Sequence, residues 1–245
     1  MVDETAGEWL ETSQIGLACQ RRLGIGADGF MRLRKAAPHH DVAFEVLYYN
    51  ADGHIGSLCG NGSRCAVEWA YQLGLYQGVD VKFLASDGVH QAKRMPNGDV
   101  TVTMADAKLP KAQYGGDFID TGSPHHVILV DDVNSIDVAT QGSRIRNQDY
   151  GPEGSNVNWL SMDDQEQYHI RTYERGVEAE TLSCGTGAVA SALVLAQKHN
   201  IQSPLTLKAR GGDLSVSWLQ VHEVGYSNVQ LTGPTCLVFE GNWPW

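Results

Sequence analysis

Two cysteines in this chain occupy matched settings. Cys59 opens Cys-Gly-Asn-Gly at 59–62 and Cys184 opens Cys-Gly-Thr-Gly at 184–187, and each phrase runs into a stretch that reads as a helix. A helix N-terminus exposes backbone N–H groups that have no internal partner, and it carries partial positive charge. Both effects favour a thiolate, so each cysteine is expected to titrate below the roughly 8.5 of a free thiol. The same N–H groups can hold a carboxylate, and the glycines around Asn61 and Thr186 remove side chains that would keep a ligand off the backbone. An α-carbon placed between the two sulfurs would lose its proton to one thiolate and gain a proton from the opposite thiol, which inverts its configuration. Hydrogen bonds that strengthen as charge moves onto the carboxylate are worth about 3 kcal/mol each in a dry site. Two thiols that hold one proton between them titrate as a pair.

A lone free cysteine is usually a small buried hydrophobe. Two cysteines at equivalent places in a repeated pattern argue for chemistry instead. Cys59 and Cys65 have no matching second pair to complete a metal site, so no metal is expected, and Cys19, Cys65 and Cys236 read as packing residues.

The repeat extends well beyond the cysteines. A strand-like run, Phe44–Tyr49, leads to Asn50 ahead of the first phrase, and Tyr168–Tyr173 leads to Glu174 ahead of the second. After one helix length, Val81–Gly88 answers Leu205–Gly212. The helices are expected over about Asn61–Leu75 and Thr186–His199, and the second is apolar and small on every side from Gly187 to Ala196, the pattern of a helix buried all round. The chain therefore reads as one unit written twice. The predicted fold is mixed α/β (α+β) with two pseudo-symmetric lobes, each a mixed β-sheet wrapped around a central helix. Residues 1–112 form the lobe with Cys59 and residues 113–245 the lobe with Cys184, the last residues returning to the first lobe.

Further elements fill in this frame. A helix is expected over Ile15–Leu23, followed by the glycine-rich turn Gly24–Gly29 and a short strand Phe30–Leu33. A dinucleotide loop would need the strand before the glycines and the helix after them, and the order here is reversed. Strands follow at Val81–Leu84, His90–Lys93 and Val100–Met104, separated by the turn dipeptides Asp87-Gly88 and Asn97-Gly98. Lys108–Pro110 and Tyr114–Gly116 read as the crossing between lobes, ahead of strands at Phe118–Asp120, His126–Val130 and Val157–Ser161.

At 245 residues, 42% hydrophobic and 19% charged, the chain is long and apolar enough for two globular lobes. Its formal net charge of −11, with scattered basic residues, argues against a nucleic-acid partner. No apolar run approaches a membrane span and the N-terminus lacks the regions of a signal peptide, so a cytoplasmic address with reduced thiols is expected.

Tyr49-Asn50-Ala51-Asp52-Gly53 leading to Cys59–Cys65, with Tyr173-Glu174-Arg175-Gly176 leading to Thr181–Gly187, resembles the diaminopimelate epimerase family. The likeness covers nearly the whole chain, including Gly24–Asp28 and Gly154–Asn158. It implies conversion of LL-2,6-diaminopimelate to the meso form, without pyridoxal phosphate or any other cofactor, on the route to lysine and peptidoglycan, by a homodimer. It further implies that Cys59 and Cys184 are the acid and base, and that Gly60, Asn61, Gly185 and Thr186 hold the reacting carboxylate. Asn50, Asn156, Glu174 and Arg175 would contact the substrate's amino and carboxylate groups, with Glu174 suited to an ammonium and Arg175 to a carboxylate. His125, in Ser123-Pro124-His125, would tune the thiols together with Glu174. The chain departs from the family in having Ser123 where many members have Asn and Gly29 where some have Gln, and in starting after the usual first strand and Gly-Asn-Asp-Phe segment. The rival readings are a two-cysteine racemase acting on proline or hydroxyproline, a carboxylate-using isomerase of the same shape, and a truncated non-catalytic member.

Overall fold

The computed structural model describes residues 2–3, 10–37, 41–56, 60–86 and 88–243. The chain divides into two units, Met1–Val102 with Thr235–Trp245, and Thr103–Pro234. The first unit carries β1 (Val2–Asp3), α1 (Thr12–Cys19), β2 (Gly29–Lys35), β3 (Phe44–Asn50), α2 (Gly60–Gln72), β4 (Asp80–Ala85), β5 (Gly88–Arg94) and β6 (Val100–Thr103). The second carries β7 (Ala107–Lys108), β8 (Lys111–Gln113), β9 (Gly116–Asp120), β10 (Pro124–Leu129), α3 (Val138–Arg144), β11 (Asn156–Met162), β12 (Tyr168–Glu174) and β13 (Ala179–Thr181). It continues through α4 (Gly185–His199), β14 (Leu205–Ala209), β15 (Gly212–Val221) and β16 (Gly225–Gly233).

The repeat is legible in strand pairing. In the first unit β1 runs parallel to β2, β2 antiparallel to β3, and β3 parallel to β4 across α2. In the second, β10 runs parallel to β11, β11 antiparallel to β12, and β12 parallel to β14 across α4. Parallel neighbours need a crossover, and in both units the crossover is the helix that begins at Cys-Gly. The second unit adds β9 and β8 outside β10.

Strand periodicity sorts the side chains. In β11 and β12, Val157, Trp159 and Tyr173 point to one face, where they meet Val138 and Ile145 of the α3 segment in a buried apolar cluster. In the first unit Tyr49 and Phe30 do the same against Ile15, Ala18 and Cys19 of α1. The opposite faces receive α2 and α4. Phe44 of β3 stacks on Phe83 of β4 at 5.1 Å and on Tyr76 at 6.2 Å, and the Tyr76 hydroxyl donates to the Val67 carbonyl of α2.

α4 is buried without a break from Gly187 to Ala196 and touches β9, β10, β11, β14, β15 and β16, so the sheet wraps it as its composition predicts. It ends at Asn200, which takes the left-handed conformation that closes helices, with φ 53°. α1 lies earlier than its predicted span, because Glu11 and Gln14 form a reciprocal capping box at its start. Gly24 folds back to donate to the Gln20 carbonyl at 2.9 Å, just past the end of the predicted helix. The segment expected to cross between lobes is instead β7, β8 and the β8–β9 hairpin of the second unit, with Tyr114 (φ 49°) and Gly115 (φ 77°) at its turn. Cys19 is buried, whereas Cys236 is exposed rather than packed. The expected turn at Asp87 lies outside the described residues. No helix among the described residues is long and apolar enough to cross a membrane.

Candidate active site

Cys184 is the N-cap residue of α4. Its backbone is extended (φ −127°, ψ 116°), and its sulfur accepts the Gly187 N–H at 3.4 Å. Thr186 Oγ1 stands 3.5 Å from the same sulfur. An N–H aimed at sulfur from a helix start favours negative charge on it. The helical ladder begins with the Ala188 N–H on the Cys184 carbonyl, at 2.9 Å, so the N–H groups of Gly185 and Thr186 precede it and are placed to hold an anion.

The loop that carries Cys184 is anchored on three sides. The Gly211 N–H donates to the Leu182 carbonyl at 2.7 Å, and Thr181 Oγ1 donates to Glu174 at the end of β12. Thr121 Oγ1 donates to the Thr186 carbonyl at 3.0 Å. Beneath the loop, Arg171 binds Glu180 through two hydrogen bonds of 2.7 Å and also donates to the carbonyls of Val133 and Ile136. Its guanidinium holds the Glu180 carboxyl below the usual carboxylate range.

Register assembles the polar cluster. His125 pairs with Asn156 across β10 and β11, Asn158 pairs with Thr172 and Thr172 with Thr181, so with alternation His125, Asn156, Asn158, Thr172 and Glu174 all fall on the α4 face. Asn156 joins three segments, donating to Ser123 Oγ and the Pro124 carbonyl, both at 2.9 Å, and accepting the Arg175 N–H at 2.9 Å. The Arg175 guanidinium donates to the Glu153 carbonyl at 2.8 Å. His125 is fully buried, and burial together with the nearby Arg175 charge pushes its pKa down to about 3, so the imidazole is neutral. Asn158 Nδ2 lies 3.1 Å from its Nδ1.

In the first unit, α2 begins at Gly60, and Cys59 lies outside the described residues. Arg64 donates to the Gly60 carbonyl and to Asn61 Oδ1, both at 3.3 Å. Asn50 ends β3 as Glu174 ends β12, each on the helix side of its strand. Gly29 has a steric reason, since a Cβ there would stand 2.3 Å from the Tyr48 hydroxyl.

Of the residues named from sequence, the second unit brings Cys184, Gly185, Thr186, His125, Asn156, Glu174 and Arg175 into one neighbourhood. In the first unit Gly60 and Asn61 open α2, bonded to Arg64, and Asn50 ends β3. Sequence reasoning passed over Thr121, Asn158 and Thr172. Asn158 had a signal: an Asn two positions after Asn156, inside the otherwise apolar run Val157–Leu160, must find polar partners on the same face.

The diaminopimelate epimerase family model matches residues 1–110 and 118–236. The chain belongs to that family. It is similar to the diaminopimelate epimerase of Flavobacterium psychrophilum, with 40% identity over 94% of this chain and 88% of that protein. The corresponding enzyme of Chlorobaculum tepidum is 36% identical, over 95% of this chain and 91% of that protein. Among solved structures, the Bacillus anthracis phenazine biosynthesis protein of the PhzF family shares the fold, with a TM-score of 0.70 at 11% identity over 92% of this chain and 86% of that one.

Proposed function

We propose that this epimerase-family chain interconverts the LL and meso forms of 2,6-diaminopimelate, with Cys59 and Cys184 as opposed base and acid and no cofactor. The observation that carries the reading is the Cys184 cap: a thiol that accepts a backbone N–H at a helix start, beside two N–H groups free of the helical ladder. The repeat supports the same arrangement at Cys59, since α2 begins at the next residue and bridges parallel strands as α4 does.

In one direction the thiolate of one cysteine takes the α-proton and becomes a thiol. The C–H electron pair moves onto the α-carbon and its carboxylate, which the N–H groups of Gly60, Asn61, Gly185 and Thr186 hold. The opposite thiol then gives its proton to the other face of the carbon and becomes the thiolate. The pair ends with its roles exchanged, and proton exchange with solvent restores it. Glu174 and Arg175, set at the end of β12 by Asn156 and Thr181, suit the amino and carboxylate groups of the substrate, and Asn50 takes the equivalent place in the other unit. His125, which is neutral, and the Glu174 side chain tune the thiols. The reaction belongs in the cytoplasm, on the way to lysine and peptidoglycan, and the working form is a homodimer.

The test is turnover by the purified chain of LL-diaminopimelate, meso-diaminopimelate, L-proline and hydroxyproline, followed by chiral chromatography. Interconversion of the first two alone is expected. Racemisation of proline with diaminopimelate untouched would replace this reading by the proline-type one.

A further inference from the structure

We infer that Asn158 is a positioning residue that fixes His125 as its neutral Nε2–H tautomer, so that the histidine serves the site as a hydrogen-bond donor and not as a base. The second half of this statement rests on the epimerase reading; the first does not.

The orientation of the Asn158 amide is decided by a group that can only accept. Its Nδ2 lies 3.3 Å from the His126 carbonyl oxygen, while its Oδ1 receives the Thr172 hydroxyl at 2.9 Å. The other Nδ2 hydrogen then faces His125 Nδ1 at 3.1 Å, and that nitrogen must accept. A neutral imidazole that accepts at Nδ1 carries its hydrogen on Nε2. Nε2 is buried and has no hydrogen-bond partner among the described residues. A buried donor without a partner is costly, and here it is held in place by a fully buried Asn–Thr pair. Such a donor suits an anion that arrives with catalysis, either a thiolate or the substrate's carboxylate.

Asn158 also touches the cysteine turn. A Cβ on Gly187 would stand 2.4 Å from Asn158 Oδ1 and 3.3 Å from Cys184 Sγ. One amide thus bonds the histidine and packs against Gly187, the residue whose N–H caps Cys184 Sγ.

The tautomer can be read without substrate, by nitrogen-15 NMR of protein labelled at histidine. At neutral pH the His125 signals should show an unprotonated Nδ1 and a protonated Nε2. In Asn158→Asp a carboxylate accepts from Nδ1–H, so the pattern should reverse, with kcat falling about 10²-fold and KM changing far less. Thr172→Val removes one bond to Oδ1 and leaves the bond to His125, so it should keep the original pattern. A wild-type spectrum with a protonated Nδ1, or with both nitrogens protonated, overturns the inference even if Asn158→Asp does not fold. An Asn158→Asp protein with an unchanged pattern, or with a reversed pattern and unchanged kcat, overturns it as well. Failure of the chain to epimerise diaminopimelate would leave the tautomer result standing.

Discussion

The two helices that begin at Cys-Gly are built on one plan and buried to different depths. α4 has no exposed residue between Gly187 and Ala196 and is wrapped by six strands. α2 buries Ala66, Val67 and Ala70 on one side, while Glu68 and Gln72 bond each other and Glu68 also holds Arg94 at 2.7 Å. Arg94 in turn lies 4.1 Å over the Tyr71 ring. The shared plan thus lies in the helix that bridges two parallel strands, not in an equal burial of its body. What the buried helix adds is a face for polar groups. The strands under α4 carry His125, Asn156, Asn158 and Thr172, which bond one another and their neighbours, and Asn158 packs against Gly187 of the Cys184 turn.

The likeness of the two helices can be broken most sharply at its symmetric element. Cys59→Ala and Cys184→Ala should each lower kcat/KM for inversion by about 10³-fold or more, and by similar factors, because each removes one of two required proton carriers. A large loss at only one of them would mean the turns are not equivalent.

Both helix bodies should contribute to stability through their buried side chains. Leu193→Ala in α4 is expected to cost about 3 kcal/mol and Val67→Ala in α2, equally buried but smaller, about 2, measured by urea denaturation. A negligible cost at Val67 would mean that the body of α2 adds nothing to the fold. Gly187→Ala is expected to cost about 2 kcal/mol by overpacking and to lower kcat as well, since the added methyl meets Asn158 and Cys184.

Acid should act through the second unit. The His125 pKa falls from 6.5 to about 3 on folding, and burial lowers that of His126 too, so unfolding takes up protons below the unfolded value. Stability should therefore fall as pH drops from about 6.5 towards 3, with a slope of up to about 1.4 kcal/mol per pH unit from His125. His125→Asn should flatten that slope in the denaturation midpoint. The smallest effect is expected at the outer side of α2, where Glu68→Gln should cost about 1 kcal/mol, little enough to leave the Cys59 turn working.

Much of this frame is legible in the sequence because its signals are local. The strands ending at Asn50 and Glu174 and the helices after Cys59 and Cys184 follow from apolar periodicity and glycine placement, and the all-apolar α4 announces its burial. The elements that escaped are those made by tertiary pairing. β13 has three residues and exists because it pairs with β12, and α3 has seven and depends on the Asp137 cap, with its carboxylate accepting the Thr140 N–H. β7 and β8 look like linker for the same reason. In the site, cysteines and glycines stand out by type, whereas Asn158 and Thr172 matter only through a register that pairs them across two strands.

The claim that the two turns supply opposed proton carriers is tested most directly by a reaction of LL-diaminopimelate in deuterated water, stopped at low conversion and read by mass spectrometry. The account predicts that the first meso product carries one deuterium at its inverted α-carbon, while recovered substrate keeps its protium. Product bearing the substrate's own hydrogen, or deuterium appearing equally in product and recovered substrate, would contradict it.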